Sequence, residues 1–212
     1  MRFEHIRAWV FDLDNTLYPA SELYDEIGAR MTSYIARTLG VDAAEATRLR
    51  ELYFHQYGAT IVGLARHHGV DARDFLADVH EADHSVLVVD SELTALIEAL
   101  PGRRIVFTNG GGGHPERVLE SLGLAHCFDT IFDIEAARLA PKPQHESYQR
   151  LIEACAIDPA HSILIEDTLR NLEPAHGLGF TTALVGGVRP DAHVAYVDHW
   201  AGDLKDLLRT QA

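Results

Sequence analysis

The feature that most constrains this chain is an apolar run that ends in two carboxylates: Ala8-Trp9-Val10-Phe11-Asp12-Leu13-Asp14-Asn15-Thr16. Such a run reads as a buried strand, in which alternate residues point the same way. Asp12 then stands at the strand's fraying end and Asp14 on the loop beyond it. Two acids this close repel unless a cation or a shared proton lies between them. An acidic turn after a buried strand is the plain alternative.

The texture then changes. Leu23, Ile27, Met31 and Ile35 recur every four residues, the spacing of a helix packed on one side. Further helices are expected over 43–57, with Asp42 as N-cap and Gly58 as stop, over 60–68 and over 72–83. No convincing strand pattern occurs in 20–84. Beyond it, strands expected over 104–108, 130–134, 162–165, 182–185 and 194–197 alternate with helices over 91–100, 114–122, 145–155, up to 176, and 203–208. Apolar strands alternating with helices imply a parallel sheet covered on both faces. The expected fold is α/β: a doubly wound, Rossmann-like core over 1–19 and 85–212, with an all-helical cap over 20–84 inserted after the first strand.

In such sheets, ligands bind beyond the carboxyl ends of the strands, at the point where the strand order reverses. Asp12, Thr108 and Asp167 each stand at or just past the end of an apolar strand, so three distant segments converge on one crevice. Asp12 and Asp14 with Glu166-Asp167 supply acidic oxygens, and a few hard oxygen ligands suit Mg²⁺ shared with a phosphate. Thr108-Asn109-Gly110 offers a hydroxyl, an amide and bare backbone N–H groups just before a helix, a natural phosphate cradle. Lys142, between Pro141 and Pro143, is a cation on stiffened backbone, suited to offset charge on a phosphate or a carboxylate.

Composition narrows the partners. Eighteen basic against 32 acidic side chains give a net charge of -14, which argues against a nucleic-acid polymer as partner. No window is long and apolar enough for a membrane span. Cys127 and Cys155 form neither a CxxC pair nor a dense framework, so a reduced, cytoplasmic setting is expected. The expected partner is a small-molecule phosphate ester. Nothing in the sequence bears on oligomeric state.

Four ordered stretches now carry a resemblance: Asp12-Leu13-Asp14-Asn15-Thr16, Phe107-Thr108-Asn109, Pro141-Lys142-Pro143 and Glu166-Asp167-Thr168-Leu169-Arg170-Asn171. Together they resemble the motifs of the haloacid dehalogenase superfamily. Two looser stretches, Tyr57-Gly58-Ala59-Thr60-Ile61-Val62-Gly63-Leu64 and Asn171-Leu172-Glu173-Pro174-Ala175, are most similar to its pyrimidine 5′-nucleotidase-like branch. The resemblance implies a phosphatase in which Asp12 is the nucleophile and forms an aspartyl-phosphate. It implies that Asp14 protonates the leaving alkoxide and then deprotonates water, which calls for a raised pKa. Mg²⁺ is implied on the Asp12 carboxylate, the Asp14 backbone carbonyl and Asp167, with Glu166 direct or through water. Thr108, Asn109 and Gly110 are implied to hold phosphate, and Lys142 to stabilise the nucleophile and the transferring group. Dehalogenases of the superfamily lack an aspartate at the Asp14 position, since a halide leaves without a proton. One departure is the run Gly110–Gly113, where relatives carry larger polar residues and where freedom costs order.

The implied substrate is a nucleoside 5′-monophosphate, pyrimidine before purine, with small sugar phosphates and phosphoglycolate as alternatives. Residues 53–64 are placed to line the cap, Tyr57 is expected against the substrate, and Gly58 and Gly63 to leave room for a flat ring. A rival enzyme class rests on His80-Glu81-Ala82-Asp83-His84, which matches the zinc-hydrolase pattern H-E-x-x-H with both imidazoles on one helix face. The plain reading of that stretch is a solvated helix end. A domain that binds phosphate compounds without turnover is the non-enzymatic reading; loss of Asp12, Asp14 or Lys142 would signal it, and all three are present.

Overall fold

The computed structural model describes residues 3–191 and 194–210. Six parallel strands form one sheet: β1 (Ala8–Phe11), β2 (Arg103–Phe107), β3 (Thr130–Phe132), β4 (Ser162–Glu166), β5 (Thr181–Val185) and β6 (His199–Ala201). Their order is β3-β2-β1-β4-β5-β6, so the chain reverses direction across the sheet between β1 and β4. The last strand differs from expectation: 194–197 is irregular, and pairing with β5 begins at His199. Thr182 explains the shift, because its backbone N–H and hydroxyl both donate to Asp198, at 2.8 and 3.0 Å, which anchors the chain just before His199.

The alternation along each central strand shows why both faces are covered. Trp9 and Phe11 of β1 join one buried cluster with Val106, Ile163 and Ile165. Ala8 and Val10 join a second, with Ile105, Phe107 and Leu164. Helices α5 (Ser91–Glu98), α6 (His114–Ser121) and α9 (Leu204–Arg209) cover the first face, and α7 (His145–Cys155) and α8 (Leu169–Gly177) the second. A strand apolar on both sides is stable only in such a sandwich. The expected doubly wound α/β core is what the chain forms.

Between β1 and α5 lie α1 (Ser21–Leu39), α2 (Ala43–Tyr57), α3 (Thr60–His68) and α4 (Ala72–Val79). Asp42 accepts from the Glu45 amide and Asp71 from those of Arg73 and Asp74, the N-cap bonds that start α2 and α4. Gly40, Gly58 and Gly69 end α1, α2 and α3 in left-handed conformation. These helices bury their own cluster around Tyr34, Ile35, Tyr53, Leu64 and Phe75. The first turns of α1 are shared, since Leu23 and Ile27 pack into the sheet's first cluster.

Helix α4 stops at Val79, four residues short of the expected end. His80 closes it by donating from Nδ1 to the Leu76 carbonyl at 3.0 Å, and His84 sits in a separate 3₁₀ turn. Both imidazoles are buried, at 5% and 8% exposure, so the stretch is not a solvated helix end. Nor do the two histidines share a helix face, which removes the geometric premise of the H-E-x-x-H reading. Cys127 and Cys155 are free thiols in the two cores. Among the described residues, no helix is long and apolar enough to cross a membrane.

Candidate active site

The site forms beyond the carboxyl ends of β1, β2 and β4, where the sheet order reverses. The Asp12 amide still donates to the Ile165 carbonyl at 2.9 Å, so the nucleophile candidate is fixed by the last rung of the ladder. The loop then turns at Asn15, whose φ of 62° lies in the left-handed region that Asn tolerates, and whose Oδ1 accepts from the Ala20 amide at 3.0 Å. That turn brings the Thr16 hydroxyl back to Asp12 Oδ2 at 3.0 Å.

Lys142 enters from the opposite side and is 2% exposed. Its Nζ donates to Asp12 Oδ1 at 2.6 Å, to Glu166 Oε2 at 2.8 Å and to the Phe107 carbonyl at 2.9 Å. All three ammonium hydrogens are thus directed. Burial alone would lower its pKa, but Asp12 and Glu166 outweigh that and hold it cationic. Asn109 secures the segment: its Oδ1 accepts from the Lys142 amide at 2.8 Å and its Nδ2 donates to the Lys142 carbonyl at 3.1 Å. Both ends of that side chain are therefore engaged, making Asn109 a clamp on Lys142, with one N–H of its Nδ2 still free of these two bonds and the residue lining the crevice. Thr108 is buried, and its hydroxyl accepts from the Gly110 amide at 2.9 Å.

Asp12, Glu166 and Asp167 each offer an oxygen within a span of 4.8 Å. Burial and Glu166 push Asp12 up to about 7, against the pull of Lys142. Burial likewise raises Glu166 and Asp167. Three carboxylates served by one lysine leave an excess of negative charge. An all-oxygen donor set with that excess fits a hard divalent cation. Glu166 has both oxygens occupied, by Lys142 and, at 3.2 Å, by the Thr168 amide.

Asp14 is 9% exposed, and its surroundings differ from expectation. Burial pushes its carboxyl up, but hydrogen bonds from His114 and Tyr18, with His80 close by, outweigh burial and hold it below the usual range. The expected raised value is therefore not a property of this arrangement, because two donors stabilise the ionised form. Neither His114 nor Tyr18 falls in a motif. Tyr18 lies four residues past Asp14 and His114 a hundred, and only the first separation is a local signal.

The crevice above these groups has a volume of about 550 Å³ and is walled by Tyr24, Arg50, Phe54, His55 and Arg170 together with the acids, Thr108 and Lys142. Tyr57 is not part of its wall: its hydroxyl lies 2.6 Å from His67 Nε2 on the outer side of the helices. Phe54, one turn earlier, lines the crevice instead, as Tyr24 does. Of the two glycines expected to leave space, Gly58 lines the crevice and Gly63 does not. A Cβ at Gly58 would lie 3.1 Å from the Lys142 carbonyl, and one at Gly63 2.2 Å from the Tyr53 ring. In the glycine run, Gly112 and Gly113 take positive φ, and a Cβ at Gly112 would lie 2.5 Å from the Leu76 backbone. Gly112 lets α4 approach the loop, so it is a packing requirement rather than a source of looseness.

Comparison with known proteins agrees with this geometry. Over 138 residues the chain is 30% identical to Phosphate metabolism protein 8 of Saccharomyces cerevisiae, covering 59% of this chain and 42% of the yeast protein, less than half its length. The fold is shared with L-2-haloacid dehalogenase of Xanthobacter autotrophicus carrying covalently bound chloropropionic acid (TM-score 0.61, 19% identity, 96% of this chain and 97% of that one). It is shared equally with a HAD phosphatase of Thermococcus onnurineus (TM-score 0.63, 16% identity, 97% of each). A third is the HAD-hydrolase YfnB of Bacillus subtilis bound to magnesium (TM-score 0.61, 18% identity, 99% of each). Residues 6–179, which run from before β1 to the end of α8, match the haloacid dehalogenase-like hydrolase family. The chain belongs to the haloacid dehalogenase-like hydrolases.

Proposed function

We propose that this hydrolase is a magnesium-dependent phosphatase acting on a small phosphomonoester, with a pyrimidine nucleoside 5′-monophosphate as the leading substrate. The observation that carries the reading is Asp14, a second carboxylate lining the same crevice as Asp12. Expulsion of an alkoxide needs a proton donor, and expulsion of a halide does not.

In this reading Asp12 Oδ attacks phosphorus and the bond to the leaving oxygen breaks. The leaving alkoxide takes its proton from Asp14, which the arriving phosphate dianion pushes toward the protonated state. Water then loses a proton to Asp14 and attacks the aspartyl-phosphate. The Asp12–phosphorus bond breaks, restoring the carboxylate and releasing inorganic phosphate. Lys142 holds Asp12 in place and offsets charge on the transferring group. Asp12, Asp167 and the Asp14 carbonyl would hold Mg²⁺, with Glu166 reaching it through water, and the ion would neutralise phosphate oxygens. Residues 20–84 act as the cap over a core formed by 1–19 and 85–212, excluding water from the crevice. Tyr24 and Phe54, each 46% exposed and lining the crevice, support a flat leaving group. Small sugar phosphates and phosphoglycolate are the alternatives.

The test is hydrolysis of a panel of phosphate esters, with an L-2-haloacid alongside, with and without Mg²⁺. Phosphate release from a nucleoside monophosphate that stops on chelation is expected. Asp12→Asn keeps the shape but removes the nucleophile, so turnover drops by about 10³-fold or more. Halide release, or an Asp12→Asn variant within tenfold of wild type, counts against the mechanism.

A further inference from the structure

Three histidines meet behind Asp14, at the seam between the returning cap segment and the core. His114 is the first residue of α6 and is 1% exposed. Its Nε2 lies 3.2 Å from Asp14 Oδ1, and because a carboxylate accepts, Nε2 is the donor. The other nitrogen of the same ring, Nδ1, lies 3.3 Å from His84 Nε2. The His80 ring stacks on that of His114 with centroids 4.6 Å apart and planes inclined by 22°. Arg117 pins the segment by donating to the His80 and Gly112 carbonyls, each at 3.0 Å. The Tyr18 hydroxyl donates to the same Asp14 oxygen that His114 reaches. Oδ1 therefore takes both hydrogen bonds, and Oδ2 is the oxygen left to the crevice.

We propose that His114 is a positioning residue for Asp14. Its Nε2–H and the Tyr18 hydroxyl fix the carboxylate with Oδ2 toward the leaving group, while His80 and His84 hold the His114 ring by stacking and by its far nitrogen. The proposal rests on the phosphatase reading above, and it specifies which step the cluster serves. The hydrogen bonds of His114 go to Asp14 and His84, and those of Lys142 to Asp12, Glu166 and Phe107, so losing the His114 ring leaves the nucleophile's own bonds in place and impairs proton delivery. The returning cap segment thereby reaches the acid through the His114 ring.

Leaving groups separate this role from a general structural one. An alkoxide must be protonated as it departs, whereas p-nitrophenolate departs without a proton. The parameter kcat/KM covers steps only through leaving-group departure, so the shared hydrolysis of the aspartyl-phosphate does not blur the comparison. For His114→Ala, kcat/KM on a nucleoside 5′-monophosphate is expected to fall about 10- to 100-fold, with that on p-nitrophenyl phosphate within about threefold of wild type. His114→Gln, which keeps a donor of similar reach, is expected to recover most of the alkyl-ester rate. Should His114→Ala fail to fold, Tyr18→Phe removes the other donor while keeping its ring, and the same ester-dependent loss is expected. Equal losses on both esters in a variant that melts like wild type, or no loss on either, overturn the positioning role. A wild type that hydrolyses neither ester overturns the phosphatase reading itself, and this role with it.

Discussion

His80 is held as a neutral imidazole: burial, with His114 beside it, pulls its pKa down to about 3. Unfolded, the same ring titrates near 6.5. Between those values the unfolded chain binds a proton that the folded one refuses, so stability falls as pH drops below 6.5. Going from pH 7 to pH 5, this one group costs about 2 kcal/mol. His80→Gln cannot titrate, so urea unfolding at the two pH values should show wild type losing about 2 kcal/mol more than the variant. Parallel losses would falsify the buried neutral assignment. At this scale the sequence was legible where a residue sits at a strand end, as Asp12, Thr108 and Asp167 do, or between two prolines, as Lys142 does. It was silent on His114, whose contact with Asp14 crosses a hundred residues and depends on where α4 stops. His80 and His84 were misread because the helix was expected to run on to residue 83, whereas the His80 ring bonds back to Leu76 and closes it.

Among the elements, α2 and α3 depend on a close approach at Gly63. A Cβ there would lie 2.2 Å from Tyr53 Cγ and 2.5 Å from its Cβ, and the Cβ is fixed by the backbone, so no rotamer can swing it away. Gly63→Ala gains helix propensity of up to about 1 kcal/mol but forces the two helices apart. Overpacking of this kind costs about 1–3 kcal/mol, and for a chain of this size each kcal/mol lowers Tm by about 2–4 °C. Calorimetry should show Tm reduced by several degrees, with hydrolysis of acetyl phosphate largely retained below the transition. An unchanged or raised Tm would mean that the helices yield without cost. The glycine was visible in the sequence, but its purpose was not, because a missing side chain signals room without saying what fills it. Strands were legible for the opposite reason: β1 is apolar throughout, and β2 and β4 each carry a buried run of three apolar residues, Ile105–Phe107 and Ile163–Ile165. The edge strand β6 has one such neighbour only, and its exposed Trp200 and flanking polar residues gave no run to read.

Across the whole molecule, a net charge of -14 opposes the approach of any anionic ester. The crevice wall holds Arg50, Lys142 and Arg170 against six carboxylates, so the anion's charge has to be met by those three cations together with a bound divalent ion. Arg170 belongs to the core and Phe54 to the inserted helices, and the guanidinium carbon lies 5.7 Å from the centre of the Phe54 ring. That contact joins the two sides at the opening, where a leaving group has to pass. An aromatic face beside a cation offers a planar base a stacking surface, and such stacking contributes about 1–3 kcal/mol per base. A small acyl phosphate has no ring to stack and reaches only Asp12, Lys142 and Thr108. Phe54→Ala should therefore lower kcat/KM for a pyrimidine nucleoside monophosphate about tenfold or more while leaving acetyl phosphate within about threefold. Tyr57→Ala, whose ring bonds to His67 outside the crevice, should change neither by more than about threefold. If Phe54→Ala depresses both substrates alike, the ring serves the closed shape of the crevice rather than the base. If Tyr57→Ala is the more selective of the two, the crevice that binds the nucleotide is not the one walled by Phe54.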